Sequence, residues 1–125
     1  MPEQVHPQAD VRSAPRPWGS WHVLDVGDGY KVKRIEIEPG HRLSYQTHAR
    51  RSEHWLVVAG TATCVLDGHT VVVQPGEHVD VDEGAPHRIA NNGATRLVIV
   101  EVQLGEYTEE DDIVRLEDDY SRCEE

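Results

Sequence analysis

The sequence predicts an all-β protein, either a β-sandwich or a closed barrel. Three observations lead to this fold class. The chain from residue 18 onward is divided into short apolar runs of strand length. The runs are separated by Asp-Gly, Asn-Gly and Pro-Gly dipeptides, which supply the backbone angles of tight turns. The runs also recur at the regular spacing that is typical of sandwiches and barrels, and not of a parallel α/β sheet.

Each strand is assigned to an apolar run between two turn signals. The predicted strands cover residues 19–25, 30–38, 42–47, 53–59, 61–66, 69–73, 78–81, 87–91 and 95–104. The separators include 27–29, 39–40, 67–68, 75–76, 83–84 and 92–93, and residues 49–52 are predicted to form a further turn. A single domain over residues 18–125 accommodates all of these strands.

The two ends differ in composition from this body. Residues 1–17 contain four prolines among polar residues, which predicts an extended, flexible arm. The segment 108–125 is short and strongly acidic. Its Ile113, Leu116 and Tyr120 have helical spacing, whereas Ile113, Arg115 and Glu117 fit an alternating edge strand equally well.

The composition of the chain limits which binding partners and which cellular compartment we expect. The net charge of −11 argues against nucleic acid and anionic membranes as partners, because both need a basic surface. We find no apolar run long enough for a secretion signal or a membrane span. Cys64 and Cys123 form neither a disulfide framework nor a metal-binding spacing. We therefore expect a cytoplasmic protein.

A candidate metal site follows from strand alternation. Gln46 and His48 are two residues apart in one predicted strand and share a face, and Glu53 follows after a turn. If Glu53 faces the same way, its neighbour His54 points away. His87 on a later strand can enter the same cavity. Such a set of nitrogen and oxygen ligands suits one divalent ion, Zn²⁺ first, with Mn, Fe, Co or Ni as alternatives. In the alternative interpretation these are polar residues on a half-exposed sheet.

The first of these segments resembles the first conserved motif of the cupin superfamily. Gly40, Gln46, His48, Glu53 and Gly60 have its spacing, with Gln46 where the commonest form has histidine. The resemblance implies a double-stranded β-helix, a jelly-roll barrel of six to eight strands with one metal ion in its mouth.

A later segment resembles the second cupin motif. Gly76, Asp82, Gly84, His87 and Asn91 have its spacing, with Asp82 in the usual proline position. Two motifs in the expected order identify the chain as a member of this superfamily more specifically than either motif alone.

A narrower resemblance covers nearly the whole chain from residue 16. It is to the type II mannose-6-phosphate isomerase, the C-terminal cupin of a bifunctional isomerase and mannose-1-phosphate guanylyltransferase. The matching runs are RPWGS at 16–20, YKVKRI at 30–35, PG at 39–40, LS at 43–44, EHW at 53–55, GTA at 60–62, PHR at 86–88 and DDIVR at 111–115. Arg50 departs from the histidine that is usual in the larger enzymes.

This resemblance implies a metal-dependent enzyme that interconverts mannose 6-phosphate and fructose 6-phosphate. The alternative is a non-catalytic, metal-binding cupin that binds or senses a phosphorylated sugar. The sequence carries no Gly-rich nucleotide signature, so guanylyl transfer is not expected of it.

Isomerisation needs a base and a cationic pocket for the phosphate. Glu101 shares a face with Leu97 and Ile99, and is the predicted base unless it is a core carboxylate paired with Lys33 or Arg42. Lys33 is assigned both a catalytic and a phosphate-binding role. The remaining phosphate-binding candidates are Lys31, Arg42 and Arg88. In the alternative interpretation the lysines extend to water and the arginines are ordinary surface residues.

The opposite faces of the strands are unusually apolar. The residues predicted to point outward are His54, Leu56, Val58, Val98, Val100 and Val102. Because a large exposed apolar surface needs cover, the sequence predicts a homodimer.

Overall fold

The computed structural model describes residues 13–108 and 112–119, and within them every regular element is a β-strand. The strands are β1 Ser13–Arg16, β2 Gly19–Gly27, β3 Tyr30–Ile37, β4 Tyr45–Thr47, β5 Arg51–Ala59, β6 Ala62–Leu66, β7 His69–Val73, β8 His78–Val81, β9 His87–Ala90, β10 Leu97–Gly105 and β11 Val114–Glu117. The all-β prediction is confirmed. Among these residues no helix has the length and apolar character that would carry it across a membrane.

The strands form two antiparallel sheets. The six-stranded sheet has the order β1-β2-β3-β10-β5-β8, and the five-stranded sheet has the order β11-β4-β9-β6-β7. Apolar side chains from the facing surfaces form the core, which includes the fully buried Ile37, Leu97 and Ile99. Along β5 and β10 buried residues alternate with half-buried or exposed ones, so each strand sends every second side chain inward.

The turns carry the backbone angles that their sequences predict. Asp67 and Gly68 both have positive φ, 51° and 83°, and connect β6 to β7 as a two-residue hairpin. Gly60 has a φ of 83°, and a Cβ there would lie 2.7 Å from the carbonyl oxygen of Arg96. Glycine at position 60 therefore allows β5 to end close against the start of β10.

Two predicted boundaries differ from the structure at the candidate site. The strand predicted over residues 42–47 is regular only over Tyr45–Thr47, with an isolated bridge from Arg42 to Ala90. The turn predicted over 49–52 is shorter, because Arg51 already pairs with Gly105 at the start of β5. Long-range pairing with β10 extends this strand, and the local sequence does not reveal it.

Both ends contribute an edge strand. Ser13–Arg16, within the segment predicted as an arm, pairs with β2, whereas residues 1–12 lie outside the described part of the chain. Val114–Glu117 pairs with β4, so the edge-strand alternative is correct for this segment, and Tyr120 and Cys123 lie outside the described residues. The proposed boundary between arm and domain stays a prediction.

The core makes a direct prediction about stability. Replacing the fully buried Ile99 by alanine removes buried methyl and methylene groups and leaves a cavity, which costs about 2–5 kcal/mol of unfolding free energy. Leu104→Ala on the same strand is the matched control, since Leu104 is exposed and its loss costs about 0.5 kcal/mol or less. Urea unfolding of the three proteins measures both values, and equal losses would contradict this description of the core.

Candidate metal centre and cavity

Three strands bring His48, Glu53 and His87 together inside the barrel. Glu53 lies on β5, His87 begins β9, and His48 immediately follows β4. One ligand atom from each residue lies within 4.8 Å of the others, and all three side chains are buried. His54 points to the opposite side of β5, where its Nδ1 lies 2.7 Å from Oδ1 of Asp80. Alternation along β5 accounts for this separation of Glu53 from His54.

The imidazole of His48 is held in one orientation. Its Nδ1 lies 2.6 Å from the backbone oxygen of Asp112, so Nδ1 carries the proton and Nε2 presents a lone pair. Burial, and next the positive charge of Arg51, lower the pKa of His48 to about 4, against the opposing effect of the Asp112 carbonyl. His48 is therefore neutral near pH 7, the state in which an imidazole binds a metal ion.

His87 has the same arrangement. Its Nδ1 lies 2.9 Å from the backbone oxygen of Ala85, which leaves Nε2 as the acceptor. That Nε2 is buried and has no hydrogen-bond partner among the described residues, although Oε1 of Glu53 lies 3.7 Å away. Burial lowers the pKa of His87. A metal ion would satisfy this orphaned nitrogen, so the residues present fit such an ion.

Gln46 lies beside the three buried residues, and its backbone pairs with His87. Its Oε1 accepts a hydrogen bond of 2.7 Å from Oγ of Ser44, and its Nε2 lies 3.4 Å from Nε2 of His48. The amide thus turns its nitrogen toward the site. Exchanging the two amide atoms would present the oxygen as a ligand, and Ser44 could then accept instead of donate.

A buried arginine completes the surroundings of Glu53. Nε and Nη2 of Arg51 lie 3.0 and 2.9 Å from Oε2 of Glu53, and Nη2 lies 3.2 Å from Nε2 of His48. Arg51 is not among the predicted site residues, because the sequence predicts a turn over residues 49–52. The spacing Arg51-x-Glu53 was the available signal, since residues two apart in a strand share a face.

Cross-strand register places the remaining ionisable side chains. Glu101 on β10 stands opposite Lys33 on β3 and opposite Trp55 on β5. Its carboxylate accepts hydrogen bonds of 3.2 Å from Nε1 of Trp55 and of 2.8 Å from Nε2 of Gln103. Burial, followed by the charge of Glu53 and a hydrogen bond with it, raises the pKa of Glu101 to about 7, while Lys33 and Arg51 act in the opposite direction.

These residues border one cavity of about 310 Å³, which the candidate ligands Gln46, His48 and Glu53 line together with Glu101. Its basic and indole side chains are Arg16, Trp18, Trp21, Lys33, Arg51 and Arg115. Nζ of Lys33 lies 4.7 Å from the ring centre of Trp21. The cavity thus combines candidate metal ligands, a carboxyl group, cations and indole rings, a combination that suits a small, hydroxylated anion.

Three of the predicted phosphate-binding residues do not line this cavity. Nζ of the buried Lys31 donates to the backbone oxygen of Thr108. Arg42 is exposed and pairs with Asp119, because its segment leaves the regular strand. Arg88 is directed to the opposite side of β9 from His87, where it donates to the backbone oxygen of Leu43 and to Oε1 of Glu117. Of the four predicted residues, only Lys33 lines the cavity.

The fold and the site define the class of protein. The cupin domain of Cnp3 from Schizosaccharomyces pombe has a similar structure, with a TM-score of 0.67 at 11% identity over 69% of this chain and 64% of that one. At this identity the likeness concerns the fold alone. Two antiparallel sheets that enclose a buried His/Glu cluster give the chain the cupin fold.

Sequence comparison specifies the family. Residues 3–118 match the family described as mannose-6-phosphate isomerase C-terminal, and the chain belongs to that family. Mannose-1-phosphate guanylyltransferase of Escherichia coli is 46% identical over 89% of this chain and 23% of its own length. Alginate biosynthesis protein AlgA of Pseudomonas aeruginosa is 46% identical over 88% of this chain and 23% of its own length. The chain thus spans about a quarter of these relatives.

The relatives overturn the function predicted from the sequence. They bear the names of a guanylyltransferase and an alginate biosynthesis protein, not of a sugar isomerase or a sugar sensor. The predicted interconversion of mannose 6-phosphate and fructose 6-phosphate is therefore wrong as a conclusion for this chain. The physical reason is that the motifs specify a barrel and a ligand cluster, and one such scaffold supports unrelated reactions.

The metal centre makes a prediction about metal affinity. His48→Ala and His87→Ala each remove a nitrogen ligand and should weaken Zn²⁺ binding by more than about 100-fold, beyond the range for groups that only support the ligands. His54→Ala, beside Glu53 but paired with Asp80 on the outer face, should bind Zn²⁺ like the wild type. Competition with a chromophoric chelator measures these affinities. Unchanged binding in both cavity variants would exclude this site.

The raised pKa of Glu101 predicts a pH-dependent difference in stability without metal. Because the folded protein favours the protonated carboxyl, its contribution is complete below pH 4.5 and is lost as the pH rises to about 7. Glu101→Gln cannot ionise. It should gain stability relative to the wild type over this interval and keep a constant difference above it. Urea unfolding in chelator at several pH values measures the difference, and a pH-independent result would contradict the assignment.

Proposed function

We propose that this chain is a metal-dependent domain that binds a phosphorylated mannose, with Glu101 in contact with the bound sugar. One observation carries the proposal: candidate metal ligands, Lys33 and a carboxyl group with a raised pKa border the same cavity. The ligand class comes from the relatives' names, and mannose 1-phosphate is the first candidate. The proposal takes from the relatives a sugar phosphate, and not guanylyl transfer.

Different residues of the cavity would bind different parts of the sugar phosphate. Lys33 and Arg51 supply positive charge for the phosphate, and charge-assisted hydrogen bonds are the strongest that a side chain forms with an anion. Trp18 and Trp21 offer apolar faces to the sugar ring. Glu101 is buried opposite Lys33, where its carboxyl group can donate a hydrogen bond to a sugar hydroxyl when protonated and accept one when ionised.

The proposed cofactor is a single divalent ion held by His48, Glu53 and His87, with Gln46 as a fourth ligand. Zn²⁺ is our first choice, because two imidazoles and a carboxylate are a ligand set that catalytic zinc commonly takes. Mn, Fe, Co and Ni are the alternatives. When bound, such an ion supplies a Lewis acid that polarises an oxygen of the substrate.

The homodimer and the cytoplasmic location remain predictions. The exposed apolar side chains of Leu56 and Val58, on the outer face of β5, support the homodimer, because a second copy could cover them.

The proposed ligand is tested by calorimetry with mannose 1-phosphate and zinc-loaded protein. Lys33→Met removes a charged donor from the cavity and should weaken binding by about 10–100-fold. Arg42→Met is the matched control, since Arg42 pairs with Asp119 outside the cavity, and its affinity should be unchanged. Thermal unfolding verifies that both variants fold.

Two outcomes would contradict the proposal. The first is no binding of mannose 1-phosphate to the zinc-loaded wild type at millimolar ligand. The second is an Arg42→Met variant that loses as much affinity as Lys33→Met. Unphosphorylated mannose, which lacks the anion, should bind more weakly than the phosphate ester.

A further inference from the structure

Arg51 occupies an unusual position for a cation. Its guanidinium is buried and touches two of the three residues that could hold a metal ion. Nη2 lies 2.9 Å from Oε2 of Glu53 and 3.2 Å from Nε2 of His48, and Nε lies 3.0 Å from the same carboxylate oxygen. The side chain also lines the cavity. Arg51 thus contacts the candidate metal ligands and also borders the space for a substrate.

The contact with His48 cannot coexist with a metal ion on the same nitrogen. Nδ1 of His48 carries its proton toward the backbone oxygen of Asp112. Nε2 therefore has a single lone pair, which serves either the N–H of Arg51 or a metal ion. Binding of a metal ion to His48 must break the hydrogen bond from Nη2 of Arg51.

We infer that Arg51 is a positioning residue that exchanges partners: a metal ion displaces Nη2 of its guanidinium from His48, and the released N–H group turns to an anion in the cavity. The inference deepens the proposed function and rests on it for the identity of the metal site. It adds that the metal ion and the anion bind cooperatively, and that Arg51 is the link between them.

Charge explains the direction of the coupling. Arg51 neutralises Glu53 in the described structure, where both side chains are buried. A divalent cation on Glu53 adds two positive charges beside a guanidinium in a medium of low dielectric constant, which weakens metal binding. A phosphate dianion beside Arg51 offsets this repulsion. By thermodynamic reciprocity each ligand must then tighten the binding of the other.

The test compares zinc affinities of Arg51→Gln and the wild type, by chelator competition with and without inorganic phosphate. Without phosphate, Arg51→Gln removes the competing cation and should bind Zn²⁺ more tightly, by about fivefold or more. In the wild type, phosphate should tighten zinc binding by about fivefold or more, and in Arg51→Gln this effect should disappear. Free zinc is held constant by the chelator, so that binding of zinc to phosphate in solution does not enter.

Arg50→Gln is the matched control. It removes the same charge from the adjacent residue, whose exposed guanidinium lies 4.7 Å from the ring centre of Tyr107. It should keep both the zinc affinity and the phosphate effect of the wild type. Equal behaviour of Arg50→Gln and Arg51→Gln, or a full phosphate effect in Arg51→Gln, would overturn the inference and leave the proposed metal site standing. Absence of zinc binding by the wild type would overturn both.

A measurement on the wild type covers the case in which Arg51→Gln does not fold. The Nε–H group of Arg51 is observed by ¹⁵N NMR and assigned through the disappearance of its signal in Arg51→Lys. Addition of Zn²⁺ should shift this signal together with the ring signals of His48, and later addition of inorganic phosphate should shift it again. An Arg51 signal that stays fixed while those of His48 move would overturn the exchange of partners.

Discussion

A carboxylate enclosed in a barrel is the constraint on which the rest of the site depends. Glu53 is only 2% exposed, and an ionised group at such a position is very costly unless charges and donors surround it. Arg51 and the indole N–H of Trp55 supply the charge and the donors that it needs. Both partners lie on β5, the strand that also carries Glu53.

The register between neighbouring strands brings the other polar side chains of the site next to Glu53 and its partners. Because β10 pairs with β3 on one side and β5 on the other, the inward row through Glu101 joins Lys33 to Trp55 across three strands. The next row joins Lys31 to Glu53 through Gln103. A slip of one residue would turn every one of these side chains to the outer face. The apolar positions that share their strands, such as Ile35 and Ile99, therefore hold the polar groups in place.

Strand alternation predicted the parts of the fold and site that depend on local sequence. It predicted that Glu53 and His54 lie on opposite faces of their strand and that Glu101 and Lys33 point inward, and the structure agrees. It could not predict Arg51, because the start of β5 depends on pairing with β10, whose partner residues are distant in the chain. It could not place Arg42 either, since an isolated bridge replaces the regular strand there. The sequence could not predict the reaction, because the spacing of the motifs specifies the metal ligands and not which atoms of a substrate lie near them.

Asp112 gives the C-terminal segment a direct connection to the centre of the barrel. Its backbone oxygen fixes the tautomer of His48, and its carboxylate accepts hydrogen bonds from the backbone N–H groups of Ala49 and Arg50. Two residues further on, β11 lies against the strand that bears Gln46. If β11 left the edge of the sheet and took Asp112 with it, His48 would lose the hydrogen bond to its Nδ1. The affinity of His48 for a metal ion would then change even if the other strands kept their positions. A surface segment of the chain can in this way affect metal binding in the interior.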